Sequence, residues 1–341
     1  MTRSAARQNT AHRVAAGWIA ALSLLFAVAV APVAQAAQPA PQTTHKPAKA
    51  GTQKAAPKRK KAVKRKRRSA AAAAVDDLTL HSNSVLVVDH DNGELVAFKN
   101  PDTVTPIASL TKLMTGLVVL DSGLPLDEML DIGPEDVDTE RHTHSRLAVG
   151  TRLRRDEMLL LALMSSENRA AKALGRHYPG GRSAFIAKMN EKAKQLGMVN
   201  TQFADTAGLS NGSRSTARDL QHLIKAAHEL PLMRQYSTQP EGKVMVKGRE
   251  LTFVNSNRLV RSTSDNWDID LQKTGFTNEA GRCLVMHATV LGRRLMMVFL
   301  DSNGTMTRYA DAARIRRQIE REARRPKPVS TQGKPVAGSA S

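Results

Sequence analysis

From about residue 75 onward, short apolar runs alternate with longer stretches in which apolar positions recur every three or four residues. Val85-Leu86-Val87-Val88 and Leu95-Val96-Ala97-Phe98 flank the turn signal Asp91-Asn92-Gly93, so Ser84 to Lys99 is predicted to form a β-hairpin. Ile107, Leu110, Leu113, Met114, Leu117 and Val118 then repeat at helical spacing, with Thr105 as N-cap and Pro106 as the first helical residue. Residues 126 to about 235 read mainly as helices. Met158 to Met164 is apolar on every side, as a buried helix is, and Arg169 to Arg176, Ala184 to Leu196 and Ala217 to Glu229 continue the pattern. Strands return at Leu251 to Asn255, Ile269 to Lys273, Cys283 to Val290 and Leu295 to Leu300, with Gly292-Arg293 turning between the last two. Thr307 to Arg324 reads as a closing helix. The order predicts an α+β fold: an antiparallel sheet flanked by helices, an all-helical subdomain inserted, and a cleft between the two parts. No internal repeat is visible.

The ends of the chain read differently. Arg3, Arg7 and Arg13 precede an apolar stretch from Val14 to Val30, and Ala34-Gln35-Ala36 is a small-residue cleavage pattern, so residues 1–36 are expected to be a signal peptide. Residues 37–75 are rich in Ala, Pro, Lys and Arg with no apolar periodicity, and a disordered linker is expected there. Residues 76–325 form the expected catalytic domain, and 326–341 a polar, disordered tail.

Charge follows the same division. The formal net charge is +20, but 15 Lys and Arg lie before residue 69 with no acid among them, so the folded part is only mildly basic. Behind a signal peptide, the basic run suits anionic wall polymer or lipid head groups better than nucleic acid. Aromatics make up 4% of the chain and offer no stacking platform for bases. Cys283 is the only cysteine, so no internal disulfide is possible; set in the run Cys283-Leu-Val-Met, it reads as a small buried hydrophobe.

Three triplets carry chemistry. Ser109-Leu110-Thr111-Lys112 sets a hydroxyl and an amine three residues apart, on one face of a helix. The amine can accept the serine proton only if burial or neighbouring charge lowers its pKa. The start of a helix also favours a developing oxyanion. Ser166-Glu167-Asn168 falls in a polar break between two predicted helices. Lys273-Thr274-Gly275 falls at the end of a predicted strand, where a cation and a hydroxyl can bind a carboxylate and glycine lets a substrate backbone approach. Taken singly, each has an ordinary explanation: a solvated Ser/Lys pair, a helix cap, a turn glycine. Together, in this order and context, they make up the S-x-x-K, S-D-N and K-T-G set of class A β-lactamases and penicillin-binding proteins. His142-Thr143-His144 has no third ligand at metal-site spacing and reads as loop histidines. No cofactor or metal motif is found.

On these motifs the chain resembles the low-molecular-mass penicillin-binding proteins of the D-alanyl-D-alanine endopeptidase/carboxypeptidase group, over roughly residues 78 to 322. Ala108 to Thr115 matches the nucleophile helix of that group, and Ser215 to Leu220 matches a further segment. Ser165 to Ala171, Lys273 to Asn278 and Ala280 to Val285 are most similar to its endopeptidase branch. The resemblance implies the β-lactamase/penicillin-binding transpeptidase-like fold and a periplasmic enzyme. It implies that Ser109 forms an acyl-enzyme with a D-Ala carbonyl, that Lys112 is the general base, and that Ser166 relays a proton to the leaving amine. Asn168 would orient Lys112 and the substrate amide, and Lys273 and Thr274 would position substrate. The backbone N–H groups of Ser109 and Phe276, beside Gly275, would form the oxyanion hole.

Peptidoglycan stem peptides are the implied substrates and β-lactams the implied covalent inhibitors. Glu167 stands where the carboxypeptidases carry Gly, which favours cross-link hydrolysis over the alternative, trimming of pentapeptide stems. Only about 65 residues follow Gly275, the predicted strands and last helix largely use them, and the tail from Pro326 to Ser341 is polar, so the second β-rich domain and amphipathic anchor of those carboxypeptidases are not expected. Residues 195–212 contain no Glu, so no deacylating carboxylate of the β-lactamase kind is expected.

Overall fold

The computed structural model describes residues 79–325, apart from 263 and 265. The expectations for the signal peptide, the basic linker and the C-terminal tail lie outside the described residues. Eleven strands and eight helices are found there, several of them short. In chain order they run β1 (Ser82–Asp89), β2 (Leu95–Lys99), β3 (Thr105–Pro106), α1 (Thr111–Asp121), β4 (Met129–Asp131), β5 (Arg152–Arg154), α2 (Arg155–Met164), α3 (Asn168–Arg176) and α4 (Gly181–Gln195). Then come β6 (Arg214–Ser215), α5 (Ala217–His228), α6 (Pro231–Thr238), β7 (Glu241–Val246), β8 (Arg249–Val254), α7 (Arg258–Arg261), β9 (Asp268–Thr277), β10 (Gly281–Val290), β11 (Arg293–Ser302) and α8 (Thr307–Arg324). None of these helices is long and apolar enough to cross a membrane.

The main sheet has the order β2-β1-β11-β10-β9 and is antiparallel throughout. Its central strands are covered on both faces, which explains why they read as continuous apolar runs. Val85 and Val87 join Leu284, Met286, Met297 and Phe299 under α8, which contributes Tyr309, Ala312, Ile315 and Ile319. Leu86 and Val88 join Val285 and Val298 beneath the helical block. α8 is also pinned by a buried carboxylate: Asp311 accepts from the Ser82 N–H and hydroxyl, each at 2.7 Å. Burying that charge is tolerable because donors meet it. In the helical block α1 is central, and Thr111 to Val119 are all buried among α2 to α6. Cys283 is fully buried and burial pushes its thiol up to about 12, so it packs as an inert hydrophobe.

Several predicted boundaries move, each for a local reason. Thr105-Pro106 is not the helix entry. It pairs with Arg214–Ser215, and the Ile107 N–H donates to the Ser213 carbonyl at 3.2 Å. Ala108, at φ +48°, then starts a single 3-10 turn (Ala108–Leu110) that leads into α1. The Lys-Thr-Gly triplet lies inside β9 rather than at its end, because β9 continues to Thr277. The turn between β10 and β11 is Leu291-Gly292, both at positive φ, as a two-residue hairpin turn of matching twist requires. The partner of β8, the strand β7, was hidden from the apolar pattern: only alternate residues face inward, and one of those is Gly242.

Candidate active site

Lys112 is the second residue of α1 and wholly buried. Its Nζ donates to Ser109 Oγ at 2.8 Å, Asn168 Oδ1 at 2.7 Å and the Ala207 carbonyl at 2.6 Å. Three acceptors saturate an ammonium. Burial nevertheless pushes its pKa down from 10.5 to about 8; the Asp205 and Glu167 carboxylates pull the other way, and Lys172 adds to the fall. An amine beside a serine hydroxyl with its pKa brought near neutrality can act as a base.

The turn that carries Ser109 is held from two sides. Gly275 on β9 lies so close that an added Cβ would sit 3.0 Å from the Ile107 carbonyl oxygen and 3.3 Å from the Ser109 nitrogen. Gly208 approaches from the other side, where a Cβ would lie 1.8 Å from the Ala108 carbonyl oxygen. With glycine at both places, the left-handed Ala108 is clamped between a strand and a loop. Strain of that kind persists only where the surroundings impose it. The outcome is a Ser109 hydroxyl presented at the start of a helix, with β9 pressed against its backbone nitrogen.

Asn168 opens α3, and its amide is oriented by a chain of hydrogen bonds. Its Nδ2 donates to Thr143 Oγ1 at 2.9 Å, and the Thr143 hydroxyl donates to Asp138 Oδ2 at 2.7 Å. Desolvation works against the Asp138 charge. Hydrogen bonds from the Arg141 N–H and from Thr143 overcome it and hold that carboxyl at about 2. A carboxylate at the end of the chain forces the Thr143 proton towards Asp138, so the Asn168 carbonyl must face Lys112.

Glu167 caps α3: its carboxylate accepts from the N–H groups of Arg169 at 2.6 Å and Ala170 at 3.1 Å, and from the Ser145 hydroxyl. The residue between Ser166 and Asn168 therefore has a structural task. Ser166 sits at φ +63° in the break between α2 and α3. Its hydroxyl makes no hydrogen bond to Ser109 or Lys112. With Asn168 it lines a cleft of about 310 Å³ whose other walls include His144, Phe253 and Val254.

Lys273 is also fully buried, with its Nζ donating to the Thr274 carbonyl at 3.0 Å. Desolvation, and after it the charge of Lys112, depress its pKa well below the lysine range. Thr274 Oγ1 donates to Ser256 Oγ at 2.7 Å. Ser256 borders a second cleft, of about 470 Å³, that also presents Arg258, Arg261 and Arg308. Arg308 is 6% exposed, and its Nε and Nη1 have no hydrogen-bond partner. Phe276, half exposed, carries the Arg282 guanidinium 4.3 Å over its ring.

The structure thus brings Ser109, Lys112 and Asn168 into one hydrogen-bonded group and sets Gly275 against it. Sequence reasoning missed Ala207, Gly208, Thr143, Ser256 and Arg308. Of these only Gly208 carried a local signal, being a glycine, and the structure places it at φ +76°; the others act through a backbone carbonyl or across the fold.

Comparison with known proteins agrees with this geometry. The sequence pattern of the D-alanyl-D-alanine carboxypeptidase family matches residues 69–304. A D-alanyl-D-alanine endopeptidase of Pseudomonas aeruginosa is 50% identical over 243 residues, covering 71% of this chain and 78% of that protein. One from Escherichia coli is 47% identical over 241 residues, covering 70% and 77%. Among solved structures, the Streptomyces K15 DD-transpeptidase superposes with a TM-score of 0.65 at 29% identity, covering 71% of this chain and 97% of that one.

Proposed function

The chain belongs to the D-alanyl-D-alanine carboxypeptidase family of serine peptidases, and we propose that within it this protein is a D-alanyl-D-alanine endopeptidase that opens peptidoglycan cross-links. The chemistry rests on one observation above the others: a fully buried lysine, its pKa lowered to about 8, hydrogen-bonded to the hydroxyl of Ser109.

In this reading neutral Lys112 takes the Ser109 proton as Oγ attacks the D-Ala carbonyl carbon. The resulting oxyanion is stabilised by the N–H groups of Ser109 and Phe276. The tetrahedral intermediate collapses, the C–N bond breaks, and the proton taken up by Lys112 reaches the departing amine by way of Ser166, which returns Lys112 to its neutral form. Water then attacks the ester, with Lys112 again accepting a proton. Asn168 holds Lys112 in line throughout. Lys273 and Thr274 position a leaving residue that bears a free α-carboxylate, with the Thr274 hydroxyl as a donor to it. β-Lactams, which present a strained amide to the same Ser109, should acylate it. The identity to the endopeptidases favours cross-link cleavage: the carboxypeptidases in the comparison are only 28–31% identical. Carboxypeptidase activity is the alternative that the same group of residues would support. Export through cleavage near Ala36, action in the periplasm, and attraction of the basic residues 37–68 to anionic polymer belong to the same proposal.

Fluorescent penicillin tests the nucleophile. Peptide mass spectrometry should find the adduct on Ser109, and Ser109→Ala should lose labelling completely. Labelling retained by that variant would overturn the assignment.

A further inference from the structure

At the other end of β9 from Gly275, three histidines from distant parts of the chain converge. His90 follows β1 in the turn to β2, His228 ends α5, and His287 lies on β10. One ring nitrogen of each lies within 4.8 Å of the other two. His90 Nδ1 is 3.0 Å from His287 Nε2, and the His228 and His287 rings stack at 3.9 Å. His287 is fully buried, while His90 and His228 are partly exposed, so the cluster can be reached from solvent.

Asp270 organises the group. His287 Nδ1 lies 2.6 Å from its Oδ1, and His228 Nε2 lies 2.8 Å from its Oδ2. The strand register shows how the carboxylate gets there. His287 pairs with Leu271 and Ala288 with Ile269, so Asp270 is the extra residue of a β-bulge. Bulges re-aim a side chain; this one turns the carboxylate to the imidazoles. With the bonded nitrogen of each ring donating to Asp270, the other nitrogens, His287 Nε2 and His228 Nδ1, are left with lone pairs. A carboxylate behind a histidine is the support that metal-ligating imidazoles generally have. Arg294, whose charge acts on His90, is already paired with Asp91, its Nε 3.2 Å from Oδ2.

We infer that His90, His228 and His287 form a transition-metal site, with Asp270 as its supporting carboxylate and Zn²⁺ as the ion whose ligand preference fits best. Three neutral imidazoles plus one water make a tetrahedral set for Zn²⁺. Zn–N bonds of about 2.0–2.1 Å place ligand nitrogens about 3.3 Å apart. The His90–His287 pair is already near that spacing, and ring rotation can bring His228 in. In the metal-free protein the His90 Nδ1 proton lies between the two rings. Binding replaces it with the ion, and the proton exchanges through solvent onto His90 Nε2, so that His90 remains a neutral imidazole. The bound ion ties the β1–β2 turn, the end of α5 and strands β9 and β10 to one point. It belongs to no step of the acylation chemistry, so this inference stands apart from the proposed function.

Tag-free protein stripped with chelator is titrated with Zn²⁺ by calorimetry and with Co²⁺ by visible absorption. One equivalent is expected, with d–d bands of a nitrogen-rich site of low coordination number. Saturation at a hundredfold excess over Kd should raise Tm by about 5–10 °C. His90→Asn, at the rim of the cluster, should weaken Zn²⁺ at least about tenfold, and Asp270→Asn about ten- to a hundredfold. Both should keep penicillin labelling, which reports the fold. The double variant His142→Asn/His144→Asn should bind like the parent. Absence of a stoichiometric site, or affinity unchanged in His90→Asn, would overturn the inference and leave a hydrogen-bonded histidine cluster.

Discussion

If Lys112 is the base, the pH dependence of acylation should follow it. With its pKa near 8, about a tenth of the enzyme carries the neutral amine at pH 7. The second-order rate of acylation by a penicillin reports the free enzyme. It should therefore rise about tenfold from pH 7 to a plateau above pH 8, and fall tenfold for each unit below 7. Stopped-flow fluorescence between pH 6 and 9.5 measures this directly. Lys172 helps to hold the pKa down, so Lys172→Gln should move the limb to higher pH. Lys112→Arg, which cannot deprotonate in this range, should abolish the limb and the reaction together.

Stability carries the same signature with a definite sign. Between pH 8 and 10.5 the unfolded chain keeps the proton on Lys112 that the folded protein has lost. Stability therefore rises with pH across that window. Below it the buried ammonium costs about 3 kcal/mol, a cost that Lys112→Met should not carry. A flat rate profile, or a limb centred near 6.5 as an imidazole would give, would refute this assignment.

Two further substitutions test the positioning. Gly275→Ala places a Cβ 3.0 Å from the Ile107 carbonyl oxygen and must push β9 away from the nucleophile turn; acylation should fall at least about tenfold, by stopped-flow rate, for a displacement well under 1 Å, and an unchanged rate would mean the strand is not pressed against the turn. Glu167→Ala removes the cap of α3 and should cost about 1–2 kcal/mol, seen as a Tm lower by about 2–8 °C, with penicillin acylation kept within a few-fold; loss of acylation with Tm unchanged would give Glu167 a chemical role instead.

Much of the architecture could be read from the chain because it follows from local periodicity. The helix Thr307–Arg324 was legible to the residue, since apolar positions at helical spacing face one sheet. β10 and β11 were legible as apolar runs because both their faces are buried. What could not be read is non-local. The pairing of β1 with β11 joins residues some two hundred positions apart, and no turn signal announces it. The entry to α1 was misplaced because Thr105 and Pro106 are good helix-start residues in isolation, while here the chain pairs them with Arg214–Ser215.

The site divides in the same way. Ser109, Lys112, Asn168 and Gly275 lie in triplets whose types and spacing are distinctive. Thr143 and Ala207 contribute a hydroxyl and a carbonyl from segments with no pattern of their own. Glu167 was read as a mark of substrate choice; in the fold its carboxylate caps α3, and the residue lines the cleft beside Ser166 and Asn168. The histidine cluster was invisible for the same reason as β1–β11: its members are 197 residues apart at the extremes and meet only in the fold.

The most direct test of the central claim is a digest of purified, D-Ala-cross-linked muropeptide dimers by the mature protein, run beside pentapeptide monomers and read by mass spectrometry. Cross-link hydrolysis predicts conversion of dimers to monomers, pentapeptides left intact, and no conversion by Ser109→Ala. Loss of the terminal D-Ala from pentapeptides with dimers untouched would contradict the account and make the enzyme a carboxypeptidase.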